Sequence, residues 1–151
     1  MTRLVFFGQS LSIFDWLLLR SEIDLVCVYV SRLSDEIRSK WLTRSLIREI
    51  RLIEVGEHAL SIDQLEQTLP DALDLGLCAH FELIPERVIQ RFRLGIINIH
   101  PAPLPRFPGR YPLVELCLSD ETKAGVSLHW ISERYFLDDI MWTSWYVFQI
   151  C

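Results

Sequence analysis

Apolar positions fall in short continuous blocks separated by stretches in which they recur at helical spacing. Leu4, Val5, Phe6 and Phe7 form the first block, closed by Gly8. An unbroken apolar run of this length, rich in Val and Phe, fits a strand buried on both faces. A helix-like stretch follows from Ile13 to Arg20. The block Leu25-Val26-Cys27-Val28-Tyr29-Val30 predicts a second buried strand, and Asp35 to Arg48 carries Ile37, Trp41, Leu42, Leu46 and Ile47 at roughly helical spacing. A third strand is predicted over Arg51 to Val55. A short amphipathic helix from Ile62 to Leu69 stops near Pro70, which has no N–H to continue it. Leu73 to Cys78 reads as a fourth strand, Pro85 opens a helix through Arg91, and Gly95-Ile96-Ile97-Asn98-Ile99-His100 supplies a fifth strand.

Alternating strands and helices imply a parallel sheet. After His100 the pattern changes to a proline-rich loop from Pro101 to Pro112, a helix over about Leu113 to Leu118, and strand-like runs from Gly125 to Ile131 and from Ile140 to Ile150. No internal repeat and no linker interrupts the chain, so residues 1–151 are expected to form one domain. The predicted fold class is α/β, a Rossmann-like three-layer α/β/α domain with a mostly parallel sheet. Ligands of such folds bind beyond the carboxyl ends of the strands, and His100 sits at such an end.

Half of the residues are hydrophobic, enough for one sizeable core. A net charge of -5 argues against holding nucleic acid through bulk electrostatics, which needs clustered Lys and Arg. Gly8, Gln9 and Ser10 cut the first apolar run well short of a signal or membrane-spanning segment, so a cytoplasmic protein is expected. Cys27, Cys78, Cys117 and Cys151 are widely spaced without a C-x-x-C pair, which points to neither disulfides nor zinc. The first three lie among apolar residues, as buried thiols do.

Candidate chemistry concentrates at the fifth strand. Asn98 and His100 are two apart, so their side chains leave the strand on one face, an amide donor beside an imidazole. Acyl transfer to an amine needs donors for the oxyanion of a tetrahedral intermediate and a group that moves protons; this pair can fill both roles. Spacing alone equally fits a His closing a strand end and an Asn bonded to its own backbone. Five prolines in the twelve residues from Pro101 to Pro112 stiffen the loop that follows. A polyproline II segment for a partner domain is the competing reading, disfavoured by its place between a buried strand and a helix. Arg106 and Arg110 flank this loop, and arginine forks suit phosphate as well as solvated surface. His100 and His129 with an aspartate would make a metal site only if the ligands converge, which spacing does not show.

The stretch Asn98-Ile99-His100-Pro101-Ala102-Pro103-Leu104-Pro105-Arg106-Phe107-Pro108-Gly109 resembles the Asn-x-His, Leu-Pro and Gly motif of the formyltransferases that use 10-formyltetrahydrofolate, a family acting on methionyl-tRNA, glycinamide ribonucleotide and nucleotide sugars. Gly125-Val126-Ser127-Leu128-His129-Trp130-Ile131 is similar to a later strand of that family, Phe6-Phe7-Gly8 to its first strand, and Phe81-Glu82-Leu83-Ile84-Pro85 to its folate-contacting segment. The resemblance covers nearly the whole chain. It implies 10-formyltetrahydrofolate as formyl donor, Glu82, Leu83 and Ile84 in the donor site, and an amine attacking the formyl carbon while Asn98 and His100 stabilise the oxyanion. The counterpart of His129 reads as structural.

The family's Asp-x-Gly-x-Ile motif is where this chain departs. An ungapped alignment puts Phe136 at the aspartate and Asp138 at the glycine. Either Asp138 completes the triad through a remodelled loop, or the triad lacks its carboxylate. Gly8-Gln9-Ser10-Leu11 has one glycine where the ribonucleotide branch grips a phosphate with several small residues, and where the tRNA branch adds a basic C-terminal domain these residues run to Cys151 with an acidic balance. The favoured acceptor is therefore a nucleotide-linked amino sugar or another small amine. The alternatives are a catalytically impaired folate- or nucleotide-binding module and a fragment of a methionyl-tRNA formyltransferase. Met141, Trp142, Trp145, Tyr146 and Phe148 form a dense aromatic set whose burial calls for a further element or a homodimer interface.

Overall fold

The computed structural model describes residues 1–31, 33–56, 61–131 and 140–147, the side chains of Trp145 and Val147 excepted. Two compact units divide it, Met1–Ile96 and Ile97–Cys151. In the first, β1 (Thr2–Gly8) leads to α1 (Leu11–Leu18), β2 (Ile23–Ser31), α2 (Asp35–Ile47) and β3 (Arg51–Val55). A 3-10 turn (Ile62–Gln64), α3 (Leu65–Thr68), β4 (Leu75–Ala79) and α4 (Glu86–Ile89) complete it. β1 pairs in parallel with both β2 and β4, and β2 pairs in parallel with β3. The order β3-β2-β1-β4 places the most apolar strand inside, where neighbours cover both of its edges.

That strand anchors the core. Val5, Phe6 and Phe7 are fully buried, as are Val28, Tyr29 and Val30 on β2. Trp41 from α2 stacks on Phe14 of α1 with ring centroids 4.8 Å apart and lies 6.4 Å from Phe6. Tyr29 stacks on Phe7 at 5.2 Å and satisfies its hydroxyl on Thr68 Oγ1 at 3.0 Å. Burying each such side chain stabilises by roughly 1.5–3 kcal/mol. Two glycines mark close approaches: a Cβ on Gly8 would meet the Ala79 carbonyl oxygen at 2.3 Å, and one on Gly76 would meet the Ile96 side chain at 2.7 Å. Side chains at these positions would push neighbouring strands apart.

The second unit holds β5 (Ile96–His100) from its second residue on, α5 (Pro112–Cys117), β6 (Lys123–Trp130) and β7 (Ile140–Val147). β5 is antiparallel to β6, and β6 to β7. Strand pairing is thus parallel in the first unit and antiparallel in the second, as expected of a mostly parallel α/β fold.

Several local expectations change. α1 begins two residues before Ile13, because Ser10 Oγ accepts the Ile13 N–H at 3.4 Å and caps the helix there. α4 stops at Ile89 rather than Arg91, since the Arg91 and Phe92 N–H groups turn back on carbonyls three residues earlier and deliver Phe92 to its bridge with Leu73. On α2 only Trp41 and Ser45 are buried, while Leu46 and Ile47 are more than 70 % exposed. Its inner stripe is held partly by charge: Arg38 bonds both oxygens of Glu54, and Arg44 grips Asp15 at 2.6 Å. Cys117 is exposed, because α5 turns only Pro112 and Leu116 inward, four residues apart. Cys27 and Cys78 are buried free thiols, and burial pushes the Cys27 thiol up to about 11. Met141, Trp142 and Tyr146 on β7 are about half exposed. Phe148, the rest of the predicted strand to Ile150, Phe136 and Asp138 lie outside the described residues.

Candidate active site

The antiparallel register builds the site. Asn98 stands opposite His129, and His100 opposite Ser127, so four side chains with a period of two share one face of the β5–β6 pair. Asn98 Nδ2 lies 3.0 Å from His129 Nε2, and the rings of His100 and His129 meet edge to face at 6.2 Å. His129 thus touches both residues of the Asn-x-His pair.

Hydrogen-bond polarity fixes the tautomers. A carbonyl oxygen can only accept, so the 2.9 Å contact between His129 Nδ1 and the Trp130 oxygen places the ring proton on Nδ1. In the neutral ring Nε2 is then an acceptor, and Asn98 Nδ2–H donates to it. His100 Nε2–H likewise donates to the Phe107 oxygen at 2.8 Å, leaving Nδ1 with a lone pair. His100 is buried, and that burial holds its pKa below the ordinary imidazole value, with a contribution from His129. The Phe107 carbonyl and the Glu115 carboxylate act in the opposite sense and are outweighed.

The proline-rich loop is pinned from below. Fully buried Ser127 accepts the Leu104 N–H at 2.9 Å, donates to the Ala102 oxygen at 2.8 Å and contacts Thr143 Oγ1 at 2.8 Å. Gly125 lets the loop approach: a Cβ there would meet Pro103 at 2.8 Å and the Ser144 oxygen at 2.4 Å. Further along, Phe107 has φ 54°, the left-handed region, and this backbone aims its carbonyl at His100. A Cβ on Gly109 would collide with the Glu115 carboxylate at 2.1 Å.

The matching family model is described as "Formyl transferase" and spans residues 57–141, more than half of the chain. The chain belongs to the formyl transferase family. Among relatives, mitochondrial methionyl-tRNA formyltransferase of Bos taurus is 41% identical over 64 residues, covering 42% of this chain and 16% of its own length. Methionyl-tRNA formyltransferase of Staphylococcus aureus is 24% identical over 143 residues, covering 89% of this chain and 45% of its own length. The chain thus spans less than half of each of these relatives. In fold it is similar to phosphoribosylglycinamide formyltransferase of Anaplasma phagocytophilum, with TM-score 0.78, 22% identity, and coverage of 98% of this chain and 73% of that one. A sugar 3N-formyl transferase, solved in the presence of dTDP and 5-N-formyl-THF, superposes with TM-score 0.66 at 18% identity, over 98% of this chain and 53% of that one.

In this member of the family the expected residues are distributed unevenly. Asn98 and His100 share a face as predicted. His129, set aside in the sequence as structural, bonds Asn98 directly; its polar side chain in phase with Ser127 was the available signal. Arg106 is ion-paired with Glu121 and lies over the Phe107 ring. Burial would push the Glu121 carboxyl up, but the N–H groups of Lys123 and Thr122 and the Arg106 guanidinium outweigh it and hold it low. Arg110 lies over the Tyr111 ring at 5.8 Å. In the first unit, Ile84 is core, whereas Glu82 and Leu83 are exposed, Leu83 by 72%. Among the described residues, no three His, Cys, Asp or Glu side chains are grouped to hold a metal ion, and no helix is long and apolar enough to cross a membrane.

Proposed function

We propose that this chain carries the chemistry of formyl transfer from 10-formyltetrahydrofolate to a primary amine. The observation that supports it most is the β5–β6 face, where a buried imidazole that donates through Nε2 and keeps a lone pair on Nδ1 stands beside an oriented carboxamide. The amine nitrogen attacks the formyl carbon, and the carbonyl electron pair moves to oxygen. Asn98 donates to that oxyanion. His100, whose Nε2–H is committed to Phe107, accepts the amine proton at Nδ1 rather than donating to the oxyanion. Collapse re-forms the carbonyl, breaks the bond to N10 of the folate, and N10 takes up a proton. Glu82 and Leu83 are the donor-site residues of this reading, with Ile84 supporting them from the core.

The acceptor is a small amine carrying phosphate or a nucleotide, such as a nucleotide-linked amino sugar, with the Arg106 and Arg110 guanidinium groups meeting the phosphate. A second reading, an aminoacyl-tRNA acceptor, draws on the methionyl-tRNA formyltransferases among the sequence relatives. A catalytically impaired donor-binding module is the reading to which loss of the family aspartate would lead. Formyl transfer assayed across nucleotide sugars, aminoacyl-tRNA and their phosphate-free amines separates these. Selective transfer to the nucleotide-linked amine, weakened by Arg110→Ala, supports the first; transfer to aminoacyl-tRNA alone supports the second; donor binding without transfer supports the third.

In the ungapped alignment Phe136 stands at the aspartate of the acidic motif, and on this reading His100 works without that carboxylate. Phe136→Asp then raises transfer and Asp138→Asn leaves it nearly unchanged. Abolition by Asp138→Asn would assign the carboxylate to Asp138 instead.

A further inference from the structure

A primary carboxamide is ambiguous at a catalytic position, because a half-turn about its last torsion exchanges two N–H donors for an acceptor oxygen. Asn98 can donate to an oxyanion only if something fixes which end faces the reactants. The strand pair supplies that in one direction: the Trp130 oxygen accepts from His129 Nδ1–H at 2.9 Å, and His129 Nε2 accepts from Asn98 Nδ2–H at 3.0 Å. The polarity of each bond is set by the one before it, starting from a backbone carbonyl that cannot donate. Turned the other way, Asn98 Oδ1 would face the lone pair on His129 Nε2. The arrangement is held by register, since Asn98 and His129 are directly opposed on β5 and β6.

We propose that His129 is a positioning residue for Asn98, its acceptor nitrogen selecting the carboxamide orientation that leaves the second Nδ2–H to donate to the reacting carbonyl oxygen. The catalytic part rests on the formyl-transfer reading above. His129 itself touches Asn98 and the edge of the His100 ring and takes no proton in the step.

The test uses His129→Leu, which keeps bulk but cannot accept, and His129→Gln, whose side-chain oxygen can. In the wild-type chain, a two-bond 15N–15N coupling across the N–H···N bond links Asn98 Nδ2 to His129 Nε2; its absence overturns the proposal. His129→Leu lowers kcat on the order of 10-fold or more, within the ~10²–10³-fold cost of deleting an oxyanion donor outright. KM for the folate stays nearly constant, and His129→Gln recovers most of the rate. In an Asn98→Ala background, His129→Leu costs little more. Independent losses in that double variant, or no recovery by Gln in a folded protein, overturn the positioning role. If the wild-type chain transfers formyl to no amine, the functional reading fails, and the coupling still decides whether His129 sets the Asn98 amide.

Discussion

The two units are stabilised by different means. Around β1 the first unit is an apolar solid, with Val5, Phe6, Phe7, Phe14 and Trp41 all fully buried and their rings stacked. The second unit organises its β5–β6 face with hydrogen bonds of fixed polarity: Ser127 to the proline loop, His100 to Phe107, His129 to Asn98. Apolar contacts are non-directional and tolerate repacking, whereas a buried polar network holds atoms in one arrangement and is costly when half satisfied. The first unit is thus suited to stability and the second to orientation.

The largest stability loss is expected from Trp41→Ala, which removes a ring packed on Phe14 and Phe6 and costs ~3–5 kcal/mol. Urea unfolding measures it; a loss below about 1 kcal/mol would remove the contrast, since core truncations of this kind exceed that. Ser127→Ala comes next. It removes the Ser127 bond to the Leu104 N–H, which keeps its contact with the Ala102 oxygen at 3.1 Å, and costs ~0.5–1.5 kcal/mol. Amide hydrogen exchange should show Leu104 losing protection before any residue of β1 does, and uniform loss across both units would contradict a local lock.

A smaller effect comes from pH. Because burial lowers the His100 pKa, the folded state binds fewer protons than the unfolded state below the unfolded imidazole value of about 6.5. The His100 contribution is therefore fully present above about pH 6.5 and declines as pH falls toward the lower folded value. Unfolding curves between pH 7 and pH 5 should show this decline, and His100→Asn should flatten it. The smallest effect is at Ser45, whose buried hydroxyl has no hydrogen-bond partner among the described residues. Replacing it with Ala changes stability by about 0.5 kcal/mol or less, or raises it, because an unsatisfied polar group leaves the core. A loss above about 1 kcal/mol would show that the hydroxyl is satisfied, as net hydrogen-bond contributions are of that size.

The same contrast explains what was legible in the sequence. Apolar blocks such as Leu4 to Phe7 and Leu25 to Val30 report burial on both faces, so the strands of the first unit could be read directly. The spacing of Asn98 and His100 placed them on one face without any partner. On α2, spacing found the helix but not its inner face, because Arg38 and Arg44 reach back to Glu54 and Asp15 and share the inward side with Trp41. The partnership of Asn98 with His129 depends on a cross-strand register 31 residues apart, which periodicity within one strand does not encode. Arg106 likewise looked available for phosphate until its pairing with Glu121 was visible, again a contact between residues distant in sequence.

The central claim is that the Asn98–His100 face performs the chemical step, and single-turnover formyl transfer from 10-formyltetrahydrofolate tests it most directly. With the best amine of the panel, Asn98→Ala and His100→Ala should each slow the single-turnover rate by on the order of 10²-fold or more, while affinity for a stable folate analogue stays within a few-fold of wild type. Transfer at the wild-type rate by either variant, with donor binding intact, would contradict the assignment.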